Sequence, residues 1–275
     1  MSKSILFLGA STGVGLATLE RALTTSPNTT CIALLRDPSK LQSLAAAHPD
    51  NLTIIKGNAH SVDDLARALV RPNPSSSSSS TSTSTPSPPG SLVDIVHFSI
   101  GVRPDALLRI PDPDVTKKGM SALLEALARI RSSSPSSSSS QKDHPTSTTS
   151  KPLISVVSGA GIVADRSVRD YPLALWPLFR LMLGVPHADK AVMEARLLAS
   201  GERFVVSRPS MLLDTDCPGR DVRVGLQDPR TGEPEGGSHL MGYVVSRQAV
   251  GRWIWDNLYS KEECSYEGKG VVLTW

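Results

Sequence analysis

The chain has 275 residues, 39% of them hydrophobic and 20% charged, with a formal net charge of +3. That length suits a single α/β domain over the whole chain, and so mild a charge gives no reason to expect nucleic acid or a membrane surface as a partner. Cys31, Cys217 and Cys264 stand far apart, in neither a CxxC pair nor a zinc spacing, so no metal site is expected and a reducing, cytoplasmic setting is. The chain opens directly into a strand pattern, with no charged-then-apolar leader, and no apolar run approaches the ~18 residues of a membrane helix.

Ile5-Leu6-Phe7-Leu8 is a short apolar run that reads as a buried parallel strand. It ends in Gly9-Ala10-Ser11-Thr12-Gly13-Val14-Gly15, a GxxxGxG spacing, and Leu16 to Leu23 follows with helical apolar periodicity. Strand, glycine turn and helix in that order form the entry to a dinucleotide-binding βαβ unit. Gly9 permits the tight turn, Gly13 lets backbone N–H groups approach a pyrophosphate, and Gly15 lets helix pack close on strand. Ser11, Thr12 and Val14 complete the turn, and the phosphates belong at the helix N-terminus, where unpaired N–H donors and the helix dipole favour an anion.

Cys31 to Leu35 reads as the second strand, with Arg36 immediately after it. At this place an acidic residue selects the ribose 2′-hydroxyl of NAD, whereas an arginine suits the 2′-phosphate of NADP. Lys40 adds a second positive charge. Asp37 competes, since a carboxylate turned toward the ribose would permit NAD. NADP is therefore the expected cofactor, with NAD left open.

Further along, Pro38 to Ala47 reads as a helix and Leu52 to Ile55 as a third strand. Ser61 with Asp64 three residues on forms a helix start. Leu92 to Phe98 is a fourth strand, Thr116 to Arg131 a helix, and Leu153 to Val157 a fifth strand. Two tracts of Ser, Thr and Pro, 72–90 and 132–150, fall between these elements and are expected to be disordered insertions. Leu173 to Leu183 is an apolar helical segment interrupted by Pro177, and a separate helix is expected from about His187 to Ser200. Arg203 to Ser207 is a sixth strand closed by Arg208-Pro209. An irregular stretch follows, then a helix from Ser246 to Tyr259 carrying Trp253, Trp255 and Leu258 against the sheet, and a last strand from Gly270 to Thr274. Strands alternating with helices give a doubly wound parallel Rossmann sheet with helices on both faces. The stretches at about 165–186 and 210–245 are left as substrate-side segments, a small C-terminal lobe. Asp214 and Asp216 have no histidine at metal-binding spacing, and His239 with its neighbouring glycines suggests a loop over the cleft.

With these pieces in order, the chain resembles the short-chain dehydrogenase/reductase superfamily. It is most similar to the atypical, NmrA-like branch that includes flavin-reductase-like proteins and fungal secondary-metabolism reductases. The resemblance rests on Gly9 to Gly15, Leu35 to Leu41, Ile55 to Ala59, Ser99-Ile100-Gly101, Val157 to Gly161 and Lys190 to Pro209. The block Gly242 to Gly251 also looks family-like, without a clear chemical role. The resemblance implies that Asn58 and Ala59 border the adenine and that Ser99, Ile100 and Gly101 run under the nicotinamide ribose. It further implies that Lys190 holds the ribose hydroxyls and Ser158 faces the substrate. Arg208-Pro209 ends the sixth strand in a rigid turn, and Pro209 with the backbone that follows, Ser210 and Met211, is expected to border the nicotinamide.

One departure stands out. The wider superfamily places a proton-donating Tyr four residues before the lysine, and here that residue is Pro186. If a protein acid is needed, Ser158, His187 and Tyr171 are the candidates, in that order; a histidine titrating near neutrality is suited to the work. The expected function is NADP-dependent reduction of a small aromatic or quinone-like molecule, with the oligomeric state open. A non-catalytic sensor that binds NAD(P) is the alternative, and a lyase or isomerase with a vestigial nucleotide site is a third.

Overall fold

β1 (Ser4–Leu8) is buried along its whole length, with Ile5 and Phe7 entering one core and Leu6 and Leu8 the other. Burial on both faces is why the strand is written as an unbroken apolar run. The computed structural model describes residues 3–71, 91–101, 111–133, 151–162, 176–237 and 239–275, with the backbone alone for 176–185. The tract 72–90 and residues 134–150 lie outside them, as does Tyr171.

After β1 come α1 (Gly13–Thr25), β2 (Thr30–Leu35), a 3-10 turn over Pro38–Leu41, α2 (Gln42–Ala47), β3 (Leu52–Lys56) and α3 (Val62–Leu69). The Ser61 hydroxyl accepts from Asp64 N and caps α3. β4 (Ile95–Phe98), α4 (Val115–Ser133), β5 (Leu153–Val157), α5 (Trp176–Ala199) and β6 (Arg203–Pro209) continue the alternation. The chain closes with β7 (Met211–Leu213), β8 (Arg223–Gln227), β9 (Val244–Ser246), α6 (Arg247–Ile254) and β10 (Gly270–Thr274).

The main sheet has the order β3-β2-β1-β4-β5-β6-β10-β8. β1 pairs in parallel with β2 on one side and β4 on the other, so the winding reverses there. A crevice opens at the carboxyl ends of the strands at such a switch point. Core residues of α1 and α6, with Leu44 of α2, cover one face, and those of α3, α4 and α5 cover the other. The doubly wound α/β architecture is the one expected.

Four expectations are corrected in detail. The two helices expected around Pro186 are one, since α5 runs through that proline without a break. A proline removes one backbone hydrogen bond from a helix interior. Beyond it, Met193 and Leu197 share a core with Met120, Leu123 and Leu127 of α4. Asp189 also accepts from Thr116 N at 2.8 Å and Thr116 Oγ1 at 2.6 Å, capping α4 from a neighbouring helix. Ser132 and Ser133, read as the start of a serine tract, are the last residues of α4.

The stretch after Pro209 is not irregular throughout. β7 pairs with β9 in a small separate sheet, and β8 lies antiparallel on β10. Arg223-Val224-Gly225-Leu226-Gln227 has little strand pattern of its own, and its ladder partner lies far along the chain. The last helix is also not uniform: α6 ends at Ile254 and Trp255–Tyr259 is a π turn. That turn carries Tyr259 inward to a 2.6 Å hydrogen bond with His97 Nδ1. Among the described residues no helix is long and apolar enough to cross a membrane, and all three cysteines are free thiols.

Candidate active site

The glycine turn leaves β1 at the switch point. Gly9 has φ 92°, and a Cβ there would lie 2.6 Å from the Ser99 carbonyl oxygen. Ser99 N donates to Leu8 O at 2.9 Å, which ties the ends of β1 and β4 together. A Cβ on Gly15 would strike Ser99 Oγ and come within 2.6 Å of the Gly9 carbonyl oxygen. Gly9 and Gly15 therefore serve the close approach of strand, helix and β4 end. Gly13 starts α1 at φ 69°, a left-handed conformation that disfavours any side chain. Thr12 precedes it with extended backbone and makes no side-chain cap, so the first N–H groups of α1 are not closed off by a capping side chain.

A cleft of about 590 Å³ opens over this turn. Gly9, Ser11, Thr12, Gly13 and Val14 line it at the centre. Arg36, Asn58 and Ala59 line it on the side of β2 and β3, and Ser99, Ile100 and Gly101 on the side of β4. Ser158, after β5, and Lys190, from α5, continue the lining beyond β4. Asp37 does not turn toward the cleft. Its carboxylate accepts from Ser39 N at 3.1 Å and Ser39 Oγ at 2.7 Å, bonds that hold it below the usual carboxylate range. Asn58 is similarly committed, its Oδ1 accepting from His60 N at 3.1 Å.

Lys190 Nζ donates to the Ser158 carbonyl oxygen at 2.7 Å. Burial lowers the Lys190 ammonium to about 8, against the opposing pull of Glu194 and Asp189. Ser158 N is held by the Ser207 carbonyl at 2.8 Å, while the buried Ser158 Oγ has no hydrogen-bond partner among the described residues. His187 departs from the expected titration near neutrality. Burial and the nearby Lys190 charge push it down to about 4, so the ring is neutral at neutral pH and has no proton to give as an acid. It does not line the cleft.

Other expected residues also stand away from the lining. Gly15 is packed inside the turn. Lys40 lies exposed at the end of the 3-10 turn, because that turn carries it past the β2 end. Pro209 and Ser210 are tied into the sheet, with the Pro209 carbonyl accepting from Ala160 N at 2.9 Å and Ser210 N donating to Leu273 O at 2.9 Å. His239 is exposed and outside the lining as well. Asp214 and Asp216 are ion-pair partners of Arg247 and Arg252.

Some lining residues were not anticipated. His60 follows β3, Pro111, Asp112 and Val115 belong to the approach and start of α4, and Leu212 and Arg247 come from the C-terminal segment. His60 Nε2 meets the Val115 carbonyl oxygen at 3.0 Å, a contact without a local sequence signal. Leu212 falls in the stretch 210–245 expected on the substrate side, and Arg247 in the Gly242 to Gly251 block, which has no clear chemical role in the sequence alone.

No family model matches the chain. Reductase pytE of Aspergillus terreus is 30% identical over 293 residues, spanning 99% of this chain and 98% of the relative. Oxidase pynE of Aspergillus niger is 30% identical over 296 residues, spanning 100% and 99%. Among solved structures, a short-chain dehydrogenase/reductase of Veillonella parvula in complex with NADP is similar at a TM-score of 0.63 and 16% identity, covering 100% of this chain and 95% of that one. With relatives of this identity matched along nearly their full length, and with this sheet order and cleft, the chain belongs to the atypical short-chain dehydrogenase/reductase family and is an oxidoreductase.

Proposed function

We propose that the protein is a cytoplasmic, NADP-dependent reductase of a small aromatic or quinone-like molecule, acting as a step of secondary metabolism. The observation that carries this reading is one cleft holding Arg36 toward β2 and the Lys190–Ser158 pair beyond β4. The residues fit the cofactor: α1 starts at Gly13 without a side-chain cap, and Ser158 Oγ is a buried hydroxyl without a partner among the described residues. Arg36 is exposed at the β2 end, and its acidic neighbour Asp37 is held by Ser39. A guanidinium free of that competitor favours a 2′-phosphate over a bare 2′-hydroxyl.

The bound cofactor supplies the hydride. Lys190, anchored on the Ser158 carbonyl, orients the ribose beside it, and Ser158 Oγ offers a hydrogen bond to the substrate oxygen. Pro186 stands in the lysine's own helix where the wider superfamily has its phenol, so the proton comes through Ser158 or from water. A quinone-like acceptor suits this arrangement, because its reduced oxygen takes a proton from solvent without a strong protein acid.

The test is consumption of NADPH and NADH with a panel of quinones, flavins and aryl ketones. Oxidation of NADPH by a quinone, with NADH used at least about tenfold less efficiently, is expected. Tight NADPH binding with no consumption across the panel would remove the substrate assignment, and equal use of NADH would remove the NADP preference.

A further inference from the structure

The C-terminal segment places a cation over the glycine turn. Arg247 opens α6, and its Cδ and Nε lie 3.5 Å and 3.8 Å from the point a Gly13 Cβ would occupy. The side chain is only 19% exposed and lines the same cleft as Ser11 and Thr12. Its position is fixed from behind. α6 packs on α1 at Gly251, where a Cβ would fall 2.6 Å from the Ala17 Cβ. The Ser246 hydroxyl caps α6 by accepting from Ala249 N at 2.9 Å and donates to Asp216 Oδ1 at 3.0 Å. Asp216 in turn takes both Arg252 Nη1 and Nη2, at 2.8 Å and 2.9 Å. In front, Arg247 Nη1 donates to Asp214 Oδ1 at 2.7 Å, and Asp214 is 72% exposed.

We propose that Arg247 is a pyrophosphate ligand of the cofactor site and that Asp214 is its exchangeable counter-ion. The proposal rests on the nicotinamide cofactor and adds a ligand from outside the βαβ unit. A pyrophosphate seated over Gly13 brings two negative charges against the N-terminus of α1 and beside this guanidinium. An Arg–carboxylate pair whose acid faces water is weak and screened. An Arg–phosphate pair over a helix N-terminus is bidentate and charge-assisted. The guanidinium therefore moves from Asp214 to the phosphate when the cofactor binds, and Asp214 opposes binding by the strength of the contact it loses.

The test is calorimetric titration of the full chain with NADP, with ADP as the pyrophosphate probe, and with 2′-AMP, which has no pyrophosphate. Arg247→Met is expected to weaken NADP and ADP by about tenfold or more and to leave 2′-AMP unchanged. Asp214→Asn is expected to tighten NADP and ADP by about threefold, again with 2′-AMP unchanged. The salt dependence of NADP binding should be shallower in Arg247→Met. Unchanged NADP affinity in Arg247→Met overturns the proposal, and so does equal weakening of 2′-AMP, which marks general disruption. Should Arg247→Met fail to fold, Asp214→Asn carries the test alone, and unchanged or weaker NADP binding there overturns the proposal. Wild-type protein that bound no dinucleotide would overturn the cofactor reading itself; binding that ignores both substitutions overturns Arg247's role only.

Discussion

Lys190 Nζ donates to the Ser158 carbonyl oxygen at 2.7 Å, joining the middle of α5 to the end of β5. The contact points the ammonium into the wall of the cleft and sets it beside the one hydroxyl there that is buried without a partner among the described residues. Lys190→Met keeps the stem length and removes the donors. NADPH oxidation is expected to fall by roughly a hundredfold or more, since positioning carries most of the rate when the cofactor does the chemistry. His187→Ala, at a ring already neutral and outside the cleft lining, should change turnover little. Unchanged turnover in Lys190→Met, measured by steady-state kinetics on a folded protein, would move the active site elsewhere.

The same lysine sets a pH dependence. Its folded value is about 8 against an ordinary 10.5, with burial as the leading cause. The unfolded chain therefore holds the proton more tightly, and between those values it binds more protons than the native state. Stability on this account rises with pH across that window, and the cost of burying the ammonium is fully present below about 8. Denaturant midpoints of wild type and Lys190→Met should converge or cross as pH is raised from 7 toward 10, with the wild type gaining. A constant difference between them would contradict the lowered value. In kinetics, wild-type efficiency should decline above about pH 8 as the ammonium is lost, and that decline should be missing in the variant.

Cofactor affinity should separate Gly13 from Arg36. Gly13→Val places a branched side chain at φ 69° and toward Arg247 Cδ, so NADP and NAD binding should both be lost. Arg36→Ala should cost on the order of 1.5–3 kcal/mol for NADP and almost nothing for NAD, because only NADP carries the 2′-phosphate. Titration of both dinucleotides against both variants checks this, and equal weakening in Arg36→Ala would show that the residue does not read the phosphate.

Stability away from the cleft should depend on Glu194 and Arg208. Arg208 is 0% exposed and donates to Glu194 Oε2 at 2.6 Å, to Gln227 Oε1 at 3.1 Å and to the Pro229 carbonyl at 2.8 Å. Glu194→Ala leaves a buried guanidinium without its carboxylate and should cost about 3–5 kcal/mol. The double variant Glu194→Leu, Arg208→Met removes both charges and should recover much of that loss. Chemical denaturation of the single and double variants decides it: a double variant no more stable than Glu194→Ala would mean the pair is not what the core depends on.

The βαβ entry, the strands β1 to β6 with β10, and the cleft-lining Arg36, Ser158 and Lys190 were all legible in the linear chain. The elements and Arg36 depend on local patterns: apolar runs of strand length, glycines at a fixed spacing, and a charged residue one step past a strand; Ser158 and Lys190 were legible only through the family resemblance. Other features depended on partners distant in sequence. Pro186 reads locally as a helix boundary, yet α5 passes through it while Asp189 and Met193 hold the following turns against α4. β8 exists as a strand because β10 offers it a ladder edge. Arg208, read as the start of a turn, became a buried cross-link between β6, α5 and β8. Asp37 beside Arg36 was ambiguous until the bond to Ser39 turned it away. Arg247 reaches the glycine turn only because α6 packs on α1. Local periodicity specifies elements and the ends of strands. Which side chain a packed neighbour brings to those ends is decided by long-range contacts, which no short window of residues contains.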